Sequence, residues 1–274
     1  MNSDLREITS DQDPLTTYQE SIRDIHTLLT TLDEGQWSLP TPCPGWSISD
    51  IAAHLIDLDA MAMGAPPINH EPDWASLPHV KNTSNQFTER GVDYRRGTPP
   101  AELLAQLQET SSALVEFLAD NSPSISVPWA KDQLPRDLFL IMRTFDVWAH
   151  EQDIRATVGA PGNWGTNPAR STAQRMISSI PLLWAKKVGA PAGSALTLTL
   201  TGPDIEGSVH VITAESGKAI FTDDPHDGAS TVTMSWPDFF NAFGGRVPAT
   251  ESIAAATFAG EYGESLIRNL PSTP

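Results

Sequence analysis

The sequence predicts an α plus α+β chain: a helical block over residues 1–190, then a smaller α+β block over residues 191–274. Two observations carry this. Through the first block, apolar residues recur at steps of three and four, the period of a helix with one buried face. From residue 195 the step drops to two in ALTLTLTG, the alternation of a half-buried strand. Runs of helices followed by strands and closing helices read as two blocks, each with its own core.

Each element has a local warrant. Asp13 precedes Pro14, an N-cap before a first-turn proline. Leu15, Tyr18, Ile22, Ile25, Leu29 and Leu32 then mark one helical face, with Gly35 just beyond. PTPCPGW, residues 40 to 46, carries three prolines and reads as a rigid loop. Ser47 and Asp50 form a capping box. It opens a second helix to about Met63, with Ile48, Ile51, Leu55 and Leu58 on its face. Residues 64 to 98, rich in Pro, Gly and Asn, read mostly as connection, with helical character around Thr83 to Tyr94. Pro99 and Pro100 open a third helix along Leu103, Leu107, Leu114 and Leu118. A fourth runs from about Pro135 to Val158 and ends at Gly159. A fifth spans Pro168 to Val188, bent at Pro181. After ALTLTLTG, the segments SVHVIT, KAIFTD and STVTMSW are further strands bounded by Gly, Asp and Pro. Helices near Pro237 to Phe243 and Glu251 to Leu270 close the chain.

Composition narrows the function classes. At 274 residues the chain can bury a sizeable core without a disulfide or structural metal. One cysteine, Cys43, excludes an internal disulfide and a cysteine-rich metal cluster. The formal net charge of −17 repels a phosphate backbone, so nucleic acid is not the expected partner. No apolar run approaches the ~20 residues that span a bilayer. MNSDLREITSDQDP lacks a positive segment leading into an apolar one. A cytoplasmic protein, monomer or homodimer, with no membrane partner is expected.

FDVWAHEQDIRATVGAP, residues 145 to 161, sets Asp146 and His150 four apart among Phe145, Val147 and Trp148. That spacing stacks them on one helical face. Alone the pair is an ordinary helix contact. His54, one turn from Ile51 and Leu58, faces the bundle interior and alone reads as a hydrogen-bonded core histidine. Together the three supply two imidazoles and a carboxylate on inward helical faces, the way bundles build metal sites. Such a set suffices for a divalent cation that keeps an open position. From the residues alone, the metal and the core readings stand level.

Their neighbours have competing readings. Asp153 could orient the free ring nitrogen of His150 or pair with Arg155 or Arg143, and the second reading is preferred. Glu151 is expected on the outer face. Cys43, before a helix N-terminus, could be a nucleophile, but in a proline-locked loop beside Trp46 it reads as a buried, inert thiol. His26, His70, His79, His210 and His226 lack paired ligand spacing.

WSLPTPCPGWSISDIAAHLIDLD, residues 37 to 59, and FDVWAHEQDIRATVGAP resemble the two signature segments of the mycothiol-dependent maleylpyruvate isomerase family. The first follows its order of Trp, Thr-x-Cys-x-Gly-Trp, Asp and His. The second follows its carboxylate-x3-His, then Asp-Ile-Arg and Gly-x-Pro. The resemblance implies a DinB-like four-helix bundle, a sterol-carrier-like α+β domain, and metal ligation by His54, Asp146 and His150. Family members often carry Glu where this chain has Asp146, one methylene shorter, which bears on the identity and affinity of the metal. It further implies Zn2+ as the metal and mycothiol, a low-molecular-weight sugar thiol, as cosubstrate toward a small electrophile. The expected activity is thiol transfer or thiol-assisted isomerisation, with substrate in a cleft between the domains. PDFFNAFGGRVPA, residues 237 to 249, resembles the smaller domain's Gly-Arg segment and puts Arg246 at the family's substrate-binding arginine. A guanidinium suits a carboxylate; the other reading of Arg246 is a helix C-terminal cation. A metal-dependent hydrolase and a non-catalytic binding protein of the same fold are the alternatives.

Overall fold

The computed structural model describes residues 3–120, 123–202 and 204–271. The chain divides into two compact units, one of residues 12–162 and one joining the segment before residue 12 to that from Asn163 onward.

The first unit is helical. Its helices are α1 (Pro14–Thr30), α2 (Ile48–Ala62), α3 (Thr83–Arg95), α4 (Pro100–Ala119) and α5 (Arg136–Val158). A two-residue hairpin, β1 (Ser124–Ile125) with β2 (Leu134–Pro135), precedes α5. Helices α1, α2, α4 and α5 pack as a four-helix bundle around Tyr18, Ile25, Ile51, Leu55, Leu114 and Val147. The caps are those the sequence implies. Asp13 accepts from Leu15 N and Thr16 N at 3.0 and 3.1 Å. Ser47 and Asp50 close their reciprocal box at 2.8 and 3.3 Å. Gly159 ends α5 at φ 67°.

Helix α3 covers the stretch around Thr83 to Tyr94 that shows helical character in the sequence, within a segment that otherwise reads as connection. It docks on α2 by charge: Arg95 pairs with Asp57, and Arg96 just beyond the helix pairs with Asp50 at 3.2 Å. Little apolar periodicity is needed for such docking, so little is visible in the sequence.

The second unit holds α6 (Asn167–Ser178), α7 (Ile180–Leu183), β3 (Ala195–Thr201), β4 (Gly207–Thr213), β5 (Ala219–Thr222) and β6 (Ser230–Ser235). It continues with α8 (Trp236–Phe243), α9 (Ala249–Ala255), β7 (Thr257–Ala259) and α10 (Gly263–Asn269). The five-stranded sheet runs β5-β4-β3-β6-β7, antiparallel except for the central β3/β6 pair. The register sets Leu198 opposite Val209 and Val232, so one face is apolar.

Two expectations shift here. The boundary falls at residue 162 rather than after 190, because the fifth predicted helix belongs to the sheet unit. Helix α6 packs on Leu5–Glu7, α7 packs on β5, and Trp236 Nε1 donates to Trp164 O at 3.2 Å. Periodicity shows that a helix has an apolar face, not which core receives it. That helix breaks near Ser179, before Pro181. The single closing helix over 251–270 is two helices around β7. Gly260 turns the chain at φ 82°, where a Cβ would stand 2.7 Å from Ser230 Cα, so the strand closes tightly on β6. Among the described residues, no helix is long and apolar enough to cross a membrane.

Candidate metal centre

Helix α2 supplies His54, and α5 supplies Asp146 and His150. Both imidazoles are buried, and the Asp146 side chain keeps about a quarter of its surface exposed, at 26%. His54 Nε2 lies 3.5 Å from Asp146 Oδ2, and His150 Nε2 lies 3.5 Å from Asp146 Oδ1. These separations are long for hydrogen bonds. They match the spacing of donors around a small cation, about 3.4 Å for tetrahedral ligands ~2.1 Å from the metal. One donor atom from each residue falls within 4.8 Å of the others. The residues present therefore fit a divalent ion.

The surroundings orient two of the three donors. His150 Nδ1 stands 3.0 Å from Asp153 Oδ2, and Asp153 is buried. The carboxylate accepts, so Nδ1 carries a hydrogen, and Nε2, on the side of Asp146, is the nitrogen that can ligate once it gives up its own proton. This is the orienting role, not the preferred ion pair with an arginine. The same Oδ2 accepts from the buried Cys43 thiol at 3.1 Å. Cys43 and Asp153 with His150 also form a cluster of metal-ligating types, yet their short polar contacts are accounted for as hydrogen bonds. Glu151 is buried and paired with Arg155 at 2.7 Å, not on an outer face; with Ile154 and Val158 beside it, that face of α5 turns inward. Asp146 Oδ2 accepts from Arg143 Nη1.

Trp46 forms a wall beside the centre, its ring 4.9 Å from that of His54 and 6.0 Å from that of His150. Gly45 takes φ 81°, with His79 packed where a Cβ would stand. The indole Nε1 donates to the buried Glu89 at 2.8 Å, and Glu89 is also held by His79 and Arg96 at 3.0 and 2.6 Å. Sequence reasoning assigns no role at the centre to Trp46, Glu89 or Arg143. Only Trp46, inside the Thr-x-Cys-x-Gly-Trp segment, and Arg143, three before Asp146, carry a signal.

The protonation pattern of the metal-free site follows. Burial lowers His54, and Asp146 only partly opposes it. Burial also works against a charged His150, but the Cys43 sulfur, Asp153 and Asp146 outweigh it and push that imidazole up to about 10. Burial would raise Asp146, yet His54, Arg143 and His150 hold it well below the usual carboxylate range. A neutral His54, an anionic Asp146 and a cationic His150 thus meet near neutral pH.

Arg246 lies in the other unit, just after α8. Its Nη1 donates to Gly244 O at 2.7 Å and its backbone N–H to Asn241 O at 2.9 Å.

Fold and site together define a DinB-like four-helix bundle carrying a candidate His–Asp–His centre, continued by a small α+β unit. Residues 18–155 match the model of the mycothiol maleylpyruvate isomerase N-terminal domain, and the chain belongs to that family. Uncharacterized proteins of Mycobacterium tuberculosis strains H37Rv and CDC 1551 are each 25% identical over 217 residues, 79% of this chain and 78% of theirs. The crystal structure of the mycothiol-dependent maleylpyruvate isomerase superposes with a TM-score of 0.54, at 17% identity over 92% of this chain and 94% of that one. A mutant form of it gives 0.56 at the same identity and coverage. These likenesses extend the shared fold to nearly the whole chain.

Proposed function

We propose that this chain is a cytoplasmic, metal-dependent mycothiol S-transferase or thiol-assisted isomerase acting on a small electrophile, with Zn2+ held by His54, Asp146 and His150. The observation that carries the reading is the convergence of those three donors at metal-ligand spacing, within a family whose model is described by mycothiol. A divalent ion there would supply a Lewis acid that makes a ligating thiol far more acidic.

The chain's own residues supply the rest. Asp153 holds the tautomer of His150. Arg143 takes one oxygen of Asp146 and fixes its orientation. Trp46, pinned by Glu89, shields the two imidazoles from water on one side. A thiolate adding to a conjugated double bond forms the C–S bond and moves the π electrons onto the acceptor group. The former double bond can then rotate, and expulsion of thiolate restores it in the other geometry. Where the adduct is instead protonated and released, the outcome is transfer.

Arg246 is the candidate for an anionic end of the substrate, since PDFFNAFGGRVPA resembles the family's Gly-Arg segment and a guanidinium suits a carboxylate. Arg246→Ala should raise KM or lower kcat/KM with metal content unchanged. A lower melting temperature with intact kinetics would assign it to the α8 terminus instead.

The central test is metal content and cobalt spectroscopy. Wild type should bind one ion per chain, and His54→Ala and His150→Ala should lose it while staying folded. Cobalt-substituted protein should gain a sulfur-to-metal charge-transfer band when mycothiol is added. Full metal retention in both variants would sink the ligand set. A cobalt spectrum unmoved by thiols would leave the hydrolase or binding reading.

A further inference from the structure

Asp59 lies on α2, five residues past His54, and is fully buried. Its carboxylate collects a donor from each of the other bundle helices. Tyr18 of α1 donates through its hydroxyl at 3.0 Å, Ser111 of α4 at 2.8 Å, and Arg143 of α5 through Nη2 at 2.7 Å. Arg143 Nε reaches the same Asp59 oxygen at 3.2 Å. The remaining arm of that guanidinium, Nη1, donates to Asp146 Oδ2. One buried cation is therefore shared by two carboxylates, and one of the two is a candidate metal ligand.

This division of donors has a consequence for the metal. A guanidinium is a rigid fork whose preferred partner is one carboxylate taken by two parallel bonds. Freed from Asp59, Arg143 could take both oxygens of Asp146 and would place an unbalanced positive charge beside a cation site. Held by Asp59, it takes only Oδ2, and Oδ1 stays on the side of His150 Nε2. Asp59 also neutralises the arginine, so the negative charge of Asp146 remains available to a cation.

We propose that Asp59 is a positioning residue for the metal centre, acting through Arg143 to keep Asp146 oriented toward a divalent ion and its negative charge from being balanced by the arginine. The inference rests on the metal reading above. Burial of a satisfied polar network alone would account for stability, not for any effect on metal affinity.

The test is the Zn2+ affinity of the purified full chain, by competition with a chromophoric chelator, in a double-mutant cycle. Asp59→Asn should weaken binding roughly 10- to 100-fold, the usual cost of losing a partner behind a ligand. In an Arg143→Gln background most of that loss should vanish, because the intermediary is gone. Tyr18→Phe, which removes a donor from Asp59 without touching charge, should lower the melting temperature and leave affinity unchanged. Wild-type affinity in Asp59→Asn, or an equal loss in both backgrounds, overturns the proposal. Should Asp59→Asn not fold, Asp59→Glu keeps the charge and shifts the carboxylate. It should weaken binding and alter the d–d spectrum of bound Co2+, and wild-type values for both overturn the proposal. A wild-type chain that binds no metal overturns the metal reading and this one together. Tight wild-type binding with an indifferent Asp59 overturns this one alone.

Discussion

The two units bury different chemistry. Among the described residues, every buried Asp, Glu, Arg and His lies in the helical unit, from Asp50 to Asp153. The sheet unit buries only serine and threonine as polar residues, including Thr172, Thr213 and Ser230, around Trp184, Trp236 and Phe239. Burying a charge costs several kcal/mol unless it is paired and hydrogen-bonded. The bundle meets that cost repeatedly, through Asp59–Arg143, Glu89–Arg96 and Glu151–Arg155. A core that only had to fold would be apolar, as the sheet unit's is. Concentrated buried charge is a mark of a unit built around a site, though structural ion networks produce it too.

The largest effect expected from this contrast is in the apolar unit. Trp236 is fully buried, with Trp164 edge-on at 6.2 Å and Phe240 at 6.4 Å. Trp236→Ala should cost about 3–5 kcal/mol, from lost transfer energy plus a cavity. Metal content of the folded fraction should be unchanged. Denaturant unfolding with parallel metal analysis reads both, and metal loss in step with stability would break the division of labour.

Much of the molecule is legible in its sequence where one local rule decides the outcome. Asp13-Pro14, Ser47 with Asp50, and Gly159 each fix a helix end by hydrogen bonds within a few residues. The i, i+4 spacing of Asp146 and His150 places both on one face, and the inward face of α2 places His54. What is hidden depends on partners distant in sequence. Helix α3 is held by Asp50 and Asp57, which its own residues cannot reveal. Asp59 sits among apolar neighbours with no local hint that Tyr18, Ser111 and Arg143 converge on it. Glu151 and Asp153 look like surface charges until their partners are known. Membership of α6 in the sheet unit is likewise a tertiary fact.

An intermediate effect belongs to the buried charge beside the centre. Glu89 is almost wholly buried and accepts from Trp46 while pairing with Arg96 and His79. Glu89→Gln keeps the shape and removes the charge. It should cost about 1.5–3 kcal/mol, the range for hydrogen bonds to charged groups. Trp46 should lose its anchor, visible as a changed tryptophan emission spectrum. A cost below about 0.5 kcal/mol, the level of an ordinary surface change, would mean the bundle's buried charges are not what holds it together.

The pH response sharpens the same contrast. His150 is pushed from 6.5 up to about 10 in the metal-free protein, so it is charged near neutral pH. A ligating imidazole is neutral. Zn2+ uptake near pH 7 should therefore expel about one proton from His150, read by calorimetry in buffers of different ionisation enthalpy. Stability runs the other way. The contribution of charged His150 to the metal-free fold is fully present below 6.5 and is lost as pH rises through about 10. That of Asp146 is present above 3.8 and is lost as pH falls through its depressed value. Metal affinity should thus rise with pH over the range in which the metal-free bundle weakens. Metal binding with no proton release would show that His150 is already neutral.

The smallest effect should come from a charge pair outside both cores. On α10, Glu264 pairs with Arg268 four residues on, at 2.6 Å, with about half of each side chain exposed, 47% and 52%. The acidic partner sits in the first turn and the basic one in the last, the order the helix dipole favours. Water screens the attraction, and ordering two long side chains offsets part of the gain. Glu264→Gln should therefore cost about 0.3–0.5 kcal/mol at low salt. At 1 M salt, where the Debye length is about 3 Å, the difference should disappear. Thermal unfolding of both proteins at the two salt concentrations measures it. A loss as large as that of Glu89→Gln would place important charge in the sheet unit after all. A near-zero value confirms that ion pairs matter in this chain where they are buried, around the candidate metal centre.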